Sequence, residues 1–329
     1  MSVLTGLRLE QVSKDDWDEA LDALPGATAY HRYDFLECIS ESLRCTFEPL
    51  AIMLGTERAG LAPLVVRRIG PVCTINWMPF PYLGPLTSDS LLPGVLSLLA
   101  AEGRRRGAVH HQQAFVGLMP DGIAGGFSPG TEQAFVIPLA GQSDEALLAG
   151  MTGNGRRHIA RARRDGVEIH PAERGDFELM DRWSEAIYAR QGLPPRYPAG
   201  AYEQLFDTMG KDPGSHFHSA RLDGETIAVD MTFSFGRRSF AWQVAVDPDH
   251  RSAYPQELLI WHHLTAARDR GDTVFDLAGA PTPGIAAFKR NFGAIEQPYT
   301  MLSRHSLIGK ARYWVAPMPV LRRLSPVSY

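Results

Sequence analysis

Residues 275–293 read FDLAGAPTPGIAAFKRNFG, a strand end, a tight exit and a short helix in one run. Asp276 stands near the carboxyl end of the strand, and Gly279 permits the sharp turn that follows. Thr282 is an N-cap for a helix whose first turn holds Pro283. Ile285, Phe288 and Phe292 recur at i, i+3 and i+7, which predicts one buried apolar stripe. Lys289 borders that stripe, so its stem lies on apolar surface while its ammonium reaches beyond it. Two readings stand on spacing alone. One is a snorkelling surface lysine; the other is a cation that neutralises a phosphate or a developing oxyanion.

Working outward from this stretch, the second half predicts an ordered set of elements. A strand at 167–170 precedes helices at 177–190 and 201–209, then three meander strands at 216–222, 226–235 and 239–246. A helix at 256–270, a strand at 273–277, the helix at 284–292 and a strand at 299–305 complete it. The first half repeats that order: strand 7–12, two helices, strands 47–54, 61–68 and 72–77, helix 91–106, and strands 108–116 and 134–139. Between the halves lies a helical stretch, 144–166, carrying Arg156, Arg157, Arg161, Arg163 and Arg164. At ~100° per residue these five fall in an arc about 160° wide, with Ile159 and Ala162 outside it. That face is either plain solvated surface or an anion contact, where arginine's planar fork is favoured.

The whole-chain numbers narrow the class. With 329 residues, two domains are expected, and 44% hydrophobic against 21% charged residues is ordinary globular composition. A formal charge of −4 argues against a protein that coats duplexes, so no DNA partner is expected and any RNA contact must be local. Cys38, Cys45 and Cys73 form no metal spacing and suit a reducing compartment. No apolar run reaches a membrane-span length and no secretory core is evident, so a cytoplasmic protein is expected.

The pattern D-x-x-G-x4-G-I-x-x-F-K-x-x-F-G, on Asp276, Gly279, Gly284, Ile285, Phe288, Lys289, Phe292 and Gly293, resembles the C-terminal signature of the Fem family. These are aminoacyl-tRNA-dependent transferases that build peptidoglycan bridges. Residues 155–167, GRRHIARARRDGV, and 256–264, QELLIWHHL, are similar to further Fem segments, so the resemblance covers most of 140–300. It implies an α/β (α+β) fold of two tandem GNAT-like domains with mixed sheets flanked by helices. The element order above is that of a GNAT domain given twice. The domains would be 1–145 with about 300–329, on the acceptor side, and 146–299, on the donor side, the last strand and helix packing back on the first.

The resemblance also assigns roles. Lys289 becomes the leading candidate for electrostatic catalysis, with Phe288 beside the acyl donor and Trp242 as the meander aromatic. Asp276 and the arginines Arg156, Arg157, Arg161 and Arg164 join the donor side, while Arg190 and Tyr197 fall where Fem enzymes hold a peptide-like acceptor. Arg190 also suits the carbonyl end of its own helix. The loop 77–84, WMPFPYLG, offers Trp77 and Tyr82 as acceptor-pocket walls or as interface filler. Asp230 interrupts an apolar strand and is either a proton acceptor in a cleft or part of a solvated face.

The chain departs from the Fem pattern in lacking a long heptad insertion, which leaves the acceptor open. A CoA-dependent GNAT domain carries R/Q-x-x-G-x-G/A after its fourth strand, whose amides cradle pyrophosphate. Here 251–256 reads RSAYPQ: Tyr254 and Gln256 replace glycines, and Pro255 has no N–H. The pairs His110–His111 and His262–His263 do not converge, and His216 and His218 lack an evident third ligand, so no metal is expected. The resulting expectation is an enzyme that moves an aminoacyl group from charged tRNA to a primary amine, with no cofactor. The alternatives are an N-acetyltransferase using acetyl-CoA and a non-catalytic binding protein on the same scaffold.

Overall fold

The computed structural model describes residues 6–119, 123–190 and 192–307. The chain divides at Glu132/Gln133 and at Gln297/Pro298 into two units. The elements leading into the first are β1 (Leu7–Gln11), α1 (Lys14–Leu21), α2 (Tyr33–Ser42), β2 (Thr46–Leu54), β3 (Glu57–Ile69) and β4 (Val72–Ile75). They continue with β5 (Leu86–Thr87), α3 (Leu92–Arg105), β6 (Ala108–Ala114) and β7 (Ser128–Pro138). The second set is α4 (Asp144–Gly150), α5 (Gly153–Arg164), β8 (Glu168–Pro171), α6 (Asp176–Arg190), α7 (Ala201–Met209), β9 (Ser215–Leu222), β10 (Glu225–Phe235) and β11 (Arg238–Val246). It ends with α8 (Pro255–Asp269), β12 (Val274–Asp276), α9 (Pro283–Arg290) and β13 (Ile295–His305).

Each unit holds the same sheet. In the first, β1, β2, β3 and β4 pair antiparallel in turn, β4 pairs parallel with β6, and β6 pairs antiparallel with β13. In the second, β8, β9, β10 and β11 pair antiparallel, β11 pairs parallel with β12, and β12 pairs antiparallel with β7. The sixth strand of each sheet is therefore the one that the chain order would give to the other copy. The strand expected at 134–139 as the end of the first domain lies in the second unit, because its ladder runs Pro138–Val136 against Val274–Asp276. The strand expected at 299–305 does return to β6, and the helix expected beyond it lies outside the described residues.

Local chemistry explains the elements. In α3, Leu92, Val95, Leu96, Leu99 and Ala100 recur on one face and are buried on the sheet, each large one worth roughly 1.5–3 kcal/mol. The stretch read as one helix over 144–166 is two helices, because Thr152 adopts extended backbone and its hydroxyl accepts from the Gly155 N–H at 3.2 Å, opening α5. The turn expected over 55–60 is shorter than read. Gly60 lies inside β3, where a Cβ would run into the carbonyl of Leu86 on β5, so close strand approach explains that glycine. Among the described residues no helix is long and apolar enough to cross a membrane.

Candidate active site

The two parallel strands of the second unit pair only from Arg238–Phe240 to Val274–Asp276. Beyond that, β11 continues to Val246 while the chain turns away from β12. A fork thus opens at the carboxyl ends of a parallel pair, the place where open α/β sheets bind ligands. Its floor is built from the 275–293 run. Asp276, 1% exposed, accepts from the Ala278 N–H at 2.7 Å and from Arg238 Nη2 at 2.8 Å. Ala278 holds φ +58°, a left-handed conformation that costs a non-glycine residue and is fixed here from several sides. Its carbonyl accepts from the Phe135 N–H at 3.0 Å and from Lys289 Nζ at 3.2 Å.

Lys289 comes from α9 and closes this floor. Its ammonium donates to the carbonyls of Leu277, Ala278 and Gly279, the last at 2.5 Å, and lies 5.9 Å from the centroid of the Phe135 ring. The side chain is half-buried, so neither the surface-lysine reading nor a freely reaching cation describes it. Burial brings its pKa down to about 8, Asp276 opposes that shift, and Arg196 adds to it. The lysine is thus a positively charged brace aimed at the strand exit. Phe288 is half-buried beside it and packs edge-on to Phe292 at 5.2 Å. The predicted stripe is buried only at its far end: Phe292 is 1% exposed, whereas Ile285 is 39% exposed because the first turn of α9 stands in solvent.

Trp242 and Tyr197 meet, their rings 5.0 Å apart, with Tyr202 completing the aromatic group. Burial raises the Tyr197 phenol far above its ordinary range. Tyr197 is 3% exposed, so it is a wall rather than a free ligand contact. Arg196, its neighbour, is the residue that sequence reasoning passed over: it is half-buried and acts electrostatically on both Tyr197 and Lys289. It sits in the aperiodic, proline-flanked loop between α6 and α7, and its adjacency to Tyr197 was the available signal. Arg190 is exposed at the last position of α6, where its charge suits the helix carbonyls.

Asp230 does not lie on a solvated face. It is buried on β10 and holds His263 of α8, with Nε2 2.9 and 2.8 Å from its two oxygens. His218 of β9 joins them, and the partners that strand spacing did not reveal for it are Asp230 and His263. The neighbours of Asp230 thus lie on α8 and β9, whereas those of Lys289 follow β12.

In α5 the buried residues are Gly155, Ile159 and Ala162, and all five arginines are exposed. Arg156 turns back to the carbonyls of Leu148, at 3.1 Å, and Met151, at 2.5 Å, and Arg161 pairs with Asp165 at 3.1 Å. Arg157 donates to Asn154, Arg163 lies 5.8 Å from the Trp261 ring centroid, and Arg164 approaches Asp165 at 3.4 Å.

The segment before α8 is where a GNAT domain would cradle pyrophosphate. Tyr254 holds φ +56° as the residue before the helix, its ring stacks on His158 at 3.9 Å, and Arg161 covers it at 5.3 Å. His158 Nδ1 in turn meets Glu257 Oε1 at 3.1 Å, and burial raises the Glu257 carboxyl. An aromatic stack and an acid therefore occupy the helix start, and Pro255 removes one amide.

In the first unit, Trp77 is half-buried and its ring lies 4.9 Å from that of His110, while Tyr82 is 1% exposed, holds φ +64° and packs edge-on to Tyr299 at 5.1 Å. Tyr82 lines a cleft with His31, Leu92, Phe115 and Met119, and Trp77 stands apart from that lining.

A family model described as acetyltransferase (GNAT) domain matches residues 152–290. The crystal structure of FemX resembles the chain with a TM-score of 0.72 and 12% identity, covering 94% of this chain and 100% of that one. The fold is that of a tandem GNAT protein. A putative lysylphosphatidylglycerol synthetase C-terminal domain from Agrobacterium fabrum aligns with a TM-score of 0.60, 14% identity and coverage of 94% and 98%. L-PGS from Bacillus licheniformis gives 0.62, 11%, 97% and 99%. No curated protein sequence matches the chain. At these identities the Fem resemblance holds for the fold.

Proposed function

We propose that the protein is an acyltransferase that moves an aminoacyl group from charged tRNA to a primary amine of a peptide-like or small-molecule acceptor. The observation that carries this reading is the filled start of α8, where Tyr254, His158 and Glu257 stand in place of a pyrophosphate cradle. Backbone amides at a helix start bind phosphate well only when the anion can approach them and no carboxylate is beside them. A donor anchored elsewhere, through the exposed arginines of α5, avoids that obstacle.

In the reaction the amine nitrogen attacks the ester carbonyl carbon of the aminoacyl end. The C–N bond forms, the carbonyl oxygen takes negative charge in the field of Lys289 and Arg196, and the ester C–O bond then breaks. The proton lost by the amine ends on the departing ribose oxygen. Asp276 and Arg238 hold the strand exit that sets the position of Lys289; Phe288 and Trp242 wall the donor side, Tyr197 backs Trp242 toward the acceptor, and Arg157 and Arg164 contact the tRNA backbone. Arg156 and Arg161 hold α5 in shape through their own partners. Arg190 is assigned to the acceptor. Asp230 is committed to His263, so no proton transfer is placed on it.

A second reading, acyl-CoA as donor, is favoured by the acetyltransferase domain match itself. One experiment separates them: titrate the purified chain with acetyl-CoA by calorimetry, and with charged tRNA in a gel shift at several salt concentrations. The proposal expects a salt-sensitive tRNA complex and no heat with acetyl-CoA. Micromolar heat with acetyl-CoA and no tRNA shift overturns it.

A further inference from the structure

We propose that the second unit carries a divalent-metal site of the zinc class, built from His218 on β9, Asp230 on β10 and His263 on α8. One ring nitrogen of each histidine and one oxygen of Asp230 lie within 4.8 Å of one another. Donors around a tetrahedral zinc at about 2.0–2.1 Å lie roughly 3.3 Å apart. The set therefore closes by side-chain rotation. Two imidazoles and a carboxylate suit zinc, cobalt or ferrous iron rather than calcium or magnesium, which take oxygen ligands.

Three features distinguish this group from a structural histidine–aspartate pair. His263 is 1% exposed, yet its Nδ1 has no partner among the described residues, and neither does the buried Nδ1 of His218. Buried imidazole nitrogens are normally satisfied, so two together in one place call for a ligand. A hydrogen-bonded pair needs one imidazole, but here His218 adds a second, its ring centroid 4.9 Å from that of His263. Finally, His218 is only half-buried, so the set is reachable from outside the core. His262 lies alongside, its ring centroid 4.5 Å from that of His218.

The three ligands come from elements that are distant in sequence, and a bound ion ties α8 to the meander. It is distinct from the Lys289 fork, whose floor belongs to β12 and α9. Binding to the folded chain alone raises the unfolding midpoint with free metal concentration.

The test uses the full chain, stripped with EDTA and freed of chelator. It is titrated with zinc chloride by calorimetry and with cobalt chloride by visible absorption. The expected result is one ion per chain and the visible bands of four-coordinate cobalt. His218→Ala removes the half-exposed ligand and leaves the Asp230–His263 pair in place. It should weaken zinc at least tenfold and abolish the cobalt bands, with the metal-free melting midpoint retained. Asp230→Asn, which keeps the side-chain shape, should weaken zinc similarly. No binding by the stripped chain, or zinc affinity unchanged in His218→Ala, overturns the site.

Discussion

The two units build the same parallel-strand fork from opposite chemistry. In the first, the exit of β4 is held by a neutral network. Asn76 Oδ1 accepts from the Val65 N–H at 2.7 Å, its amide donates to the Pro63 carbonyl at 2.9 Å and to Gln113 at 3.3 Å, and Gln113 meets His111 at 2.8 Å. In the second, the fork is held by charge at the exit of β12, the counterpart of β6: Arg238 on Asp276, and Lys289 on three carbonyls. The topology needs only satisfied polar groups at the strand exit. A charged brace is more than the fold requires, and it is on that excess that our proposal places the chemistry in the second fork.

Breaking the two braces should give the largest contrast. Asp276→Ala leaves Arg238 and the Ala278 N–H without their carboxylate, and loss of one partner of a buried ion pair costs about 3–5 kcal/mol. Asn76→Ala leaves the buried Val65 N–H unpaired and should cost about 1–3 kcal/mol. Urea unfolding of both variants measures the difference; equal losses would remove the distinction between the forks.

The next effect is on turnover more than stability. Lys289→Met should lower kcat by about 10²–10³, the range for removing one electrostatic stabiliser of an oxyanion. Methionine keeps the stem on its apolar surface, but the carbonyls lose their donor, so stability should also fall by about 1–3 kcal/mol and turnover is read well below the melting midpoint. A variant with wild-type turnover would leave the lysine as a structural brace. Turnover should also fall as pH rises through about 8, where Lys289 loses its proton. Stability responds with the opposite sign: the folded pKa lies below lysine's ordinary 10.5, so the unfolded chain binds more protons between these values and stability rises with pH there.

These contrasts also show what the sequence made legible. The 275–293 run and the arginine face of α5 are local, so spacing alone placed Asp276 at a strand end and put Ile159 and Ala162 inward. Exchange of the sixth strands was hidden in β7, because its partner β12 is set by tertiary pairing and its residues read equally well as the end of the first copy. Arg196 lay in a loop without period. His218, Asp230 and His263 converge from two strands and a helix, and a reading confined to one element at a time cannot join them.

A smaller effect tests the α5 face. Replacing Arg157, Arg163 and Arg164 by Gln should flatten the salt dependence of tRNA binding, each lost phosphate contact lowering the logarithmic slope by about 1. The remaining arginines, Arg156 and Arg161, already hold carbonyls or Asp165, so the helix should persist. A gel shift at three salt concentrations reads the slope. An unchanged slope would return the face to solvated surface.

The smallest effect belongs to the neutral fork. Burial lowers His110 to about 4, with His305 adding to the shift, and lowers His31 to about 4 and His111 to about 3. Their folded values lie below the ordinary 6.5, so their contribution is full above that pH and is lost as pH falls toward 4, where the unfolded chain gains protons first. Carboxylates titrate mainly below ~4.5, so the range from 6.5 to 5 isolates histidines. His216, His218 and His262 of the second unit respond in the same range, so the total slope does not distinguish the units. His110→Phe does. The phenyl ring keeps the contact with Trp77 while removing one titrating group, and the acid slope should fall by up to about 1.4 kcal/mol per pH unit. Urea midpoints at pH 7 and pH 5 measure this; an unchanged slope would mean that His110 is hydrated and that the first fork is less closed than the neutral network implies.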